Sequence, residues 1–100
     1  MYIITRQDLS VSHFAVQSAH SVIEATKAFK QPQETVSLVL CTLPNEDSLY
    51  RFSNYLTKQG IDHIMFREPD MDNQATSIAT QPILGQNRKH FKKLQLFKEN

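Results

Sequence analysis

Short runs of β-branched and apolar residues alternate along the chain with longer stretches whose apolar positions recur at helical spacing. Tyr2-Ile3-Ile4-Thr5-Arg6 is rich in β-branched and aromatic residues and predicts a strand. Ser10 or Ser12 can cap a helix that the spacing carries to about Phe29. On it Ala15, Ala19, Val22 and Phe29 recur at intervals of four, three and seven, so one face is apolar, and Thr26 adds its methyl group there. Small alanines on that face predict a helix lying close to a sheet. Lys30-Gln31-Pro32-Gln33-Glu34 reads as a connector, and Val36 to Leu43 as a second strand whose apolar density points to central, two-sided burial.

Pro44-Asn45 starts a second helix with Leu49, Phe52 and Leu56 inward, and Gly60 ends it as a left-handed cap. Ile61 to Phe66 predicts a third strand, and Ala75 to Thr80 a weaker fourth one built on Thr76, Ile78 and Thr80. From about Gln86 to Lys93 the pattern is helical, and Leu94-Gln95-Leu96-Phe97 is an apolar close. The order is β-α-β-α-β-β-α. Helices between successive strands argue for parallel neighbours, while the short link between the third and fourth strands makes the sheet mixed. The expected class is α/β, a three-layer α/β/α arrangement on a four-stranded mixed sheet, in one domain over residues 1–100.

Composition narrows the function classes. A 40% hydrophobic and 21% charged chain is that of an ordinary globular domain, not a disordered one. The longest unbroken apolar runs, such as Leu38 to Cys41, are four residues, far short of a membrane span. The first strand begins at once, with no signal segment before it. Cys41 is the single cysteine, excludes an internal disulfide, and reads as a small buried hydrophobe. A cytoplasmic protein with no membrane partner is the expectation. The net charge of +1 is unevenly spread: residues 88–100 carry +4 and residues 1–87 carry −3. A basic tail of Arg88, Lys89, Lys92, Lys93 and Lys98 suits a phosphate-bearing partner, with a solvated terminal helix as the plain alternative.

Two polar clusters carry the candidate chemistry. Arg67 to Thr76 holds three carboxylates, an Arg, two amides and a Thr hydroxyl, directly after the apolar run Ile64-Met65-Phe66. A loop at the carboxyl end of a strand is where open α/β sheets place ligands. On the first helix His13, Gln17, His20 and Glu24 share a second face. His13 and His20 lie two turns, roughly 10 Å, apart, too far to share a metal ion. Paired cysteines, His-Glu-x-x-His, a Gly-rich phosphate loop and a Gly-x-Ser-x-Gly elbow are all missing, so neither a metal nor another cofactor is expected. Activated water is the simpler chemistry. Asp70 or a histidine is a candidate base, Asn73 and Thr76 candidate orienting groups, and the amides opening the first helix candidate donors to an oxyanion. In a parallel layout that helix start and the loop after the third strand share one sheet edge.

The opening Arg6-Gln7-Asp8-Leu9, a short turn, and the helical Ala15-Val16-Gln17-Ser18-Ala19-His20-Ser21 resemble the archaeal and eukaryotic type (type 2) of the peptidyl-tRNA hydrolase family. There a strand ending in an acidic residue leads through a lysine- and glycine-bearing turn into a helix with Ala-Ala-Gln-x-x-His-Ala. The order of elements is similar too, including a closing basic helix and Leu-x-Leu. Glu68-Pro69-Asp70 and Thr76-Ser77-Ile78-Ala79 resemble a small bacterial branch related to it. The resemblance implies a four-stranded mixed sheet flanked by helices, often dimeric, that hydrolyses the ester linking a peptide to the tRNA 3′ end. It implies tRNA or peptidyl-tRNA as partner and a homodimer as assembly. Gln17, His20 and Asp70 match the family's helix and loop positions, Thr76 matches more loosely, and His13 stands where the family has a lysine. With the residue reading, the expected catalytic set is Asp70, His20, His13 and Thr76. Gln17, Asn73, Arg88, Lys89, Lys92 and Lys93 are the expected substrate contacts. The lysine-glycine turn itself is missing: Leu9-Ser10-Val11-Ser12-His13 is about two residues shorter. A lysine is a permanent cation at neutral pH, whereas an ordinary histidine is mostly neutral near pH 7. A non-catalytic RNA- or protein-binding module of the same fold is therefore the alternative expectation.

Overall fold

The computed structural model describes residues 1–98; Glu99, counted above in the basic tail, lies outside them. Its elements are β1 (Tyr2–Arg6), α1 (Val11–Ala28), β2 (Val39–Leu43), α2 (Glu46–Lys58), β3 (His63–Glu68), a 3-10 turn (Pro69–Met71), β4 (Gln74–Thr80), a 3-10 segment (Gly85–Phe91) and β5 (Gln95–Leu96). Local chemistry explains the helix ends. Ser10 caps α1, its hydroxyl accepting from the His13 backbone N–H at 3.4 Å. Asn45 and Ser48 form a reciprocal box at the start of α2, with Glu46 and Asp47 in the first turn where the helix dipole favours anions. Gly60, at φ +73°, turns the chain after α2 in a conformation that a Cβ would strain.

The sheet has the order β3-β4-β1-β2-β5. β1 and β2 are parallel, while β4 runs antiparallel to both β1 and β3, and β5 antiparallel to β2. The carboxyl ends of β1, β2 and β3 consequently lie at one edge. α1 packs over β1, β3 and β4. On the other face α2 and the 3-10 segment enclose a core of Ile4, Cys41, Leu49, Leu56, Ile61, Ile78, Ile83 and Phe91.

Three expectations are corrected. The mixed sheet has five strands instead of four, because Gln95 and Leu96 pair with Thr42 and Cys41. The helical pattern near residues 86–93 is a 3-10 segment with no side-chain cap. Its path follows from Phe91, which stacks on Tyr2 at 4.0 Å and packs edge-on against Phe52. Finally, β2 is not the strand buried on both sides. Only Cys41 of β2 is buried, whereas Ile3 to Arg6 of β1 and Ala75 to Thr80 of β4 are buried throughout. The helices lie over β1 and β4, and β2 has only the two-residue β5 beyond it.

The inward side of α1 also differs from the apolar stripe. Phe14, Gln17, Ser18, Ser21 and Ala25 are buried, while Ala15, Ala19, Val16 and Ile23 are exposed. Val22 and Phe29 touch only a smaller cluster around Met1, Ala25 and Ala79. The reason is the sheet surface beneath. Thr5 Oγ1 lies 2.7 Å from Ser18 Oγ and 2.8 Å from Ser77 Oγ, and Ser21 Oγ lies 2.9 Å from Ser77 Oγ. Ser18 donates its proton to the Phe14 carbonyl, so it accepts from Thr5, and Thr5 in turn accepts from Ser77. Ser21 has one proton to share between the Ser18 carbonyl and Ser77. Hydroxyls satisfied in this way lose little on burial, so small polar residues can line the interface.

Candidate functional site

Two polar clusters meet at the edge formed by the carboxyl ends of β1 and β3. On the α1 side, Thr76 Oγ1 donates to Gln17 Oε1 at 2.7 Å, and Gln17 Nε2 donates to Glu68 Oε1 at 3.3 Å. Thr76 is fully buried and Gln17 is 3% exposed. The direction of this chain is chemically determined: a hydroxyl donates to the amide oxygen, which leaves the amide nitrogen facing the carboxylate. The second cluster is centred on Arg6, a largely buried cation. Its Nε and Nη2 grip the two Asp8 oxygens at 2.6 and 2.8 Å, and Nη1 donates to Gln74 Oε1 at 2.9 Å and to the Ala75 carbonyl at 3.2 Å. Glu46, at the start of α2, accepts from the Ala75 backbone N–H at 2.8 Å. Glu68 and Gln74 are register partners, so the two clusters adjoin.

The Arg6 hydrogen bonds hold the Asp8 carboxyl below the usual carboxylate range, against the opposing effect of partial burial. The same pair, with Glu46 nearby, raises the Arg6 guanidinium further. Between β3 and β4 the chain makes its 3-10 turn at Pro69–Met71, then Asp72 and Asn73 take left-handed φ values of 53° and 60°. Asp and Asn are the side-chain-bearing residues that adopt this conformation most readily. The turn is closed by the Asn73 amide, which donates to the Glu68 carbonyl at 3.0 Å.

Of the expected site residues, the structure joins Gln17 to Thr76 and brings both to Glu68. Asp70 and Asn73 are exposed in the neighbouring turn. His13 and His20 are exposed on α1, the His20 ring stacked on Phe66 with centroids 4.8 Å apart. Among the described residues no hydrogen bond joins His13, His20 and Asp70 to one another. The tail cations divide. Arg88 lines a cavity of about 820 Å³ with Met1, Tyr2 and Leu84 at the opposite sheet edge. Lys92 and Lys93, both exposed, lie between Phe91, which stacks on Tyr2, and Gln95, which pairs with Thr42. Lys89 is exposed on the 3-10 segment between them. Among the described residues no group of three or more His, Cys, Asp or Glu side chains is placed to hold a metal ion. Among the described residues no helix is long and apolar enough to cross a membrane.

No family model and no curated protein matches the chain. Its site therefore rests on its own geometry. Sequence reasoning gave no site role to Arg6, Asp8 or Glu46, and counted Glu68 and Gln74 in the polar cluster after the third strand without assigning either a part. One signal was present: an arginine ending a β-branched strand, with an acid two residues later across a turn.

Proposed function

We propose that the protein is a peptidyl-tRNA-hydrolase-like enzyme acting on the ester between a peptide and the 3′ end of tRNA. The observation carrying this reading is the directed Thr76–Gln17–Glu68 chain beside the exposed Asp70 turn, at the sheet edge where α/β folds hold ligands. Water attacks the ester carbonyl, and Asp70, open to solvent, takes its proton. Glu68 is a positioning residue, fixed by Gln17 at the mouth of the turn. Amides at the start of α1 receive the developing oxyanion, and the proton held by Asp70 passes by way of His20 or His13 to the departing 3′ oxygen. Lys92 and Lys93 meet the phosphates, and Arg88 lines the cavity beside Met1 and Tyr2. Ala15, Val16, Ala19 and Ile23, exposed on α1, are the surface for a homodimer, which sedimentation equilibrium tests.

Release of peptide from peptidyl-tRNA by the purified wild type is the test. Asp70→Asn keeps the fold and abolishes release. Undiminished turnover by that variant passes the base role to Glu68, and Glu68→Gln then becomes the inactive form. The second reading is a non-catalytic RNA-binding module, favoured by the absence of any hydrogen bond linking His13, His20 and Asp70 and by the missing lysine-glycine turn. Protein that binds tRNA yet leaves the ester intact over hours selects it.

A further inference from the structure

We infer that the groove between the start of α1 and the β2–β5 flank of the sheet is the subsite for the 3′-terminal nucleotide of an RNA substrate, with its base stacked on Phe97. The inference rests on the reading above that the substrate is an RNA-linked ester. It adds where the nucleotide side of that ester lies. The groove encloses about 860 Å³ and is lined chiefly by Leu9, Val11, Phe14, Leu96, Phe97 and Lys98. It exists because α1 packs over β1, β3 and β4, leaving the β2 and β5 side open beside its first turns.

Three features of the groove agree on the occupant. Its walls present apolar side chains to solvent, Val11 at 76% and Leu96 at 56% exposure. Apolar groups facing one another across a concave surface usually serve binding. Its aromatic element is the Phe14–Phe97 pair, with ring centroids 4.8 Å apart and planes tilted by 35°. An aromatic ring is what a flat, uncharged π-system recognises.

The third feature is charge. Among the described residues no carboxylate lines the groove; Lys98 does, and Lys92 and Lys93 precede β5, whose Gln95 and Leu96 line it. A cationic rim over an apolar aromatic floor complements a base attached to phosphates better than it does a peptide, whose backbone asks for paired donors and acceptors. Gln7, Thr42 and Gln95 supply hydrogen-bonding groups for a base edge or ribose. The Gln17–Glu68 pair lies across the first turns of α1, toward β3 and β4, about one helix width (~10 Å) away. The peptide side of the ester would then extend toward β3.

The test uses calorimetric titration with adenosine 5′-monophosphate, and with ribose 5-phosphate as the probe lacking a base. Wild type is compared with Phe97→Leu and with Leu96→Glu, whose exposed position spares the core; thermal melts check folding. Adenosine 5′-monophosphate is expected to bind wild type at least tenfold more tightly than ribose 5-phosphate. Each variant is expected to weaken it fivefold or more and to raise KM for peptidyl-tRNA by a similar factor. Equal binding of both probes, or affinity indifferent to both variants, overturns the inference. The two readings fail separately. Base binding through Phe97 without ester cleavage keeps the subsite and ends the hydrolase reading. Cleavage with a KM indifferent to Phe97→Leu does the reverse.

Discussion

Replacing Thr76 by valine isolates the hydrogen bond on which the site's orientation depends. The two side chains are close in shape, so no cavity forms at this fully buried position. What disappears is the hydroxyl that donates to Gln17 Oε1 at 2.7 Å. Gln17 is itself buried, so its amide oxygen is left facing a methyl group. Turning the amide over would aim that oxygen at the Glu68 carboxylate, so rotation offers no escape. A buried acceptor stranded in this way costs about 1–3 kcal/mol. At ~2 kcal/mol, a domain of this size should lose roughly 8–16 °C in Tm.

The stronger form of the prediction is a double-mutant cycle read by urea denaturation. Gln17→Leu alone leaves Glu68 without its amide donor but free to hydrate, and leaves the Thr76 hydroxyl only the Phe66 carbonyl at 3.4 Å. With Thr76→Val also present, apolar meets apolar, and part of the loss should return. A coupling of at least ~1 kcal/mol is expected for residues in such contact. Losses that add to within about 0.5 kcal/mol would refute the reasoning, since independent sites behave that way.

Acid should weaken the fold partly through Asp8. Arg6 holds the folded carboxyl below its unfolded range, so this contribution is full above about pH 4 and fades as pH falls through the lower folded value. Asp8→Asn should therefore lose less stability than wild type between pH 7 and pH 3, and equal losses in urea midpoints would remove Asp8 from the account. Burial pushes the Cys41 thiol up, so native protein should react slowly with a disulfide reagent at pH 8 and quickly once unfolded; rapid native labelling would contradict its burial. Neutralising Lys92 or Lys93 should each reduce the salt slope of tRNA binding by about one. Arg88→Gln should reduce that slope less, because Arg88 lines the cavity beside Met1.

Much of the frame was legible in the chain because local chemistry agrees with tertiary structure there. Ser10 and Asn45 open helices where a capping side chain should, Gly60 turns left-handed after α2, and β1 spans the β-branched run it was read from. The shared edge of α1's start and the turn after β3 also followed, since β1 and β3 are parallel through β4. The inward side of α1 was misread because hydropathy places serine outside. Ser18 and Ser21 lie inside only because Thr5 and Ser77 await them, 13 and 56 residues away in sequence. The burial of β4 was understated for a related reason: Thr76, Ser77 and Thr80 are all enclosed, their hydroxyls bonded. The Arg6 cluster was missed because Gln74, Ala75 and Glu46 reach it only through pairing between distant strands and a helix. β5 was invisible as a strand because two residues are too few to show a period.

The row of matched oxygens beneath α1 has a mechanical result. Two greasy surfaces can slide past each other at small cost, whereas this contact has one alignment. Displacing the helix by a turn, about 5.4 Å, would part at least one of the two serines from its partner on the sheet. The height at which Gln17 meets Thr76 is thus governed by Ser18 and Ser21 farther along the rod. Altering a serine out of sight of the rim should consequently shift the rim itself.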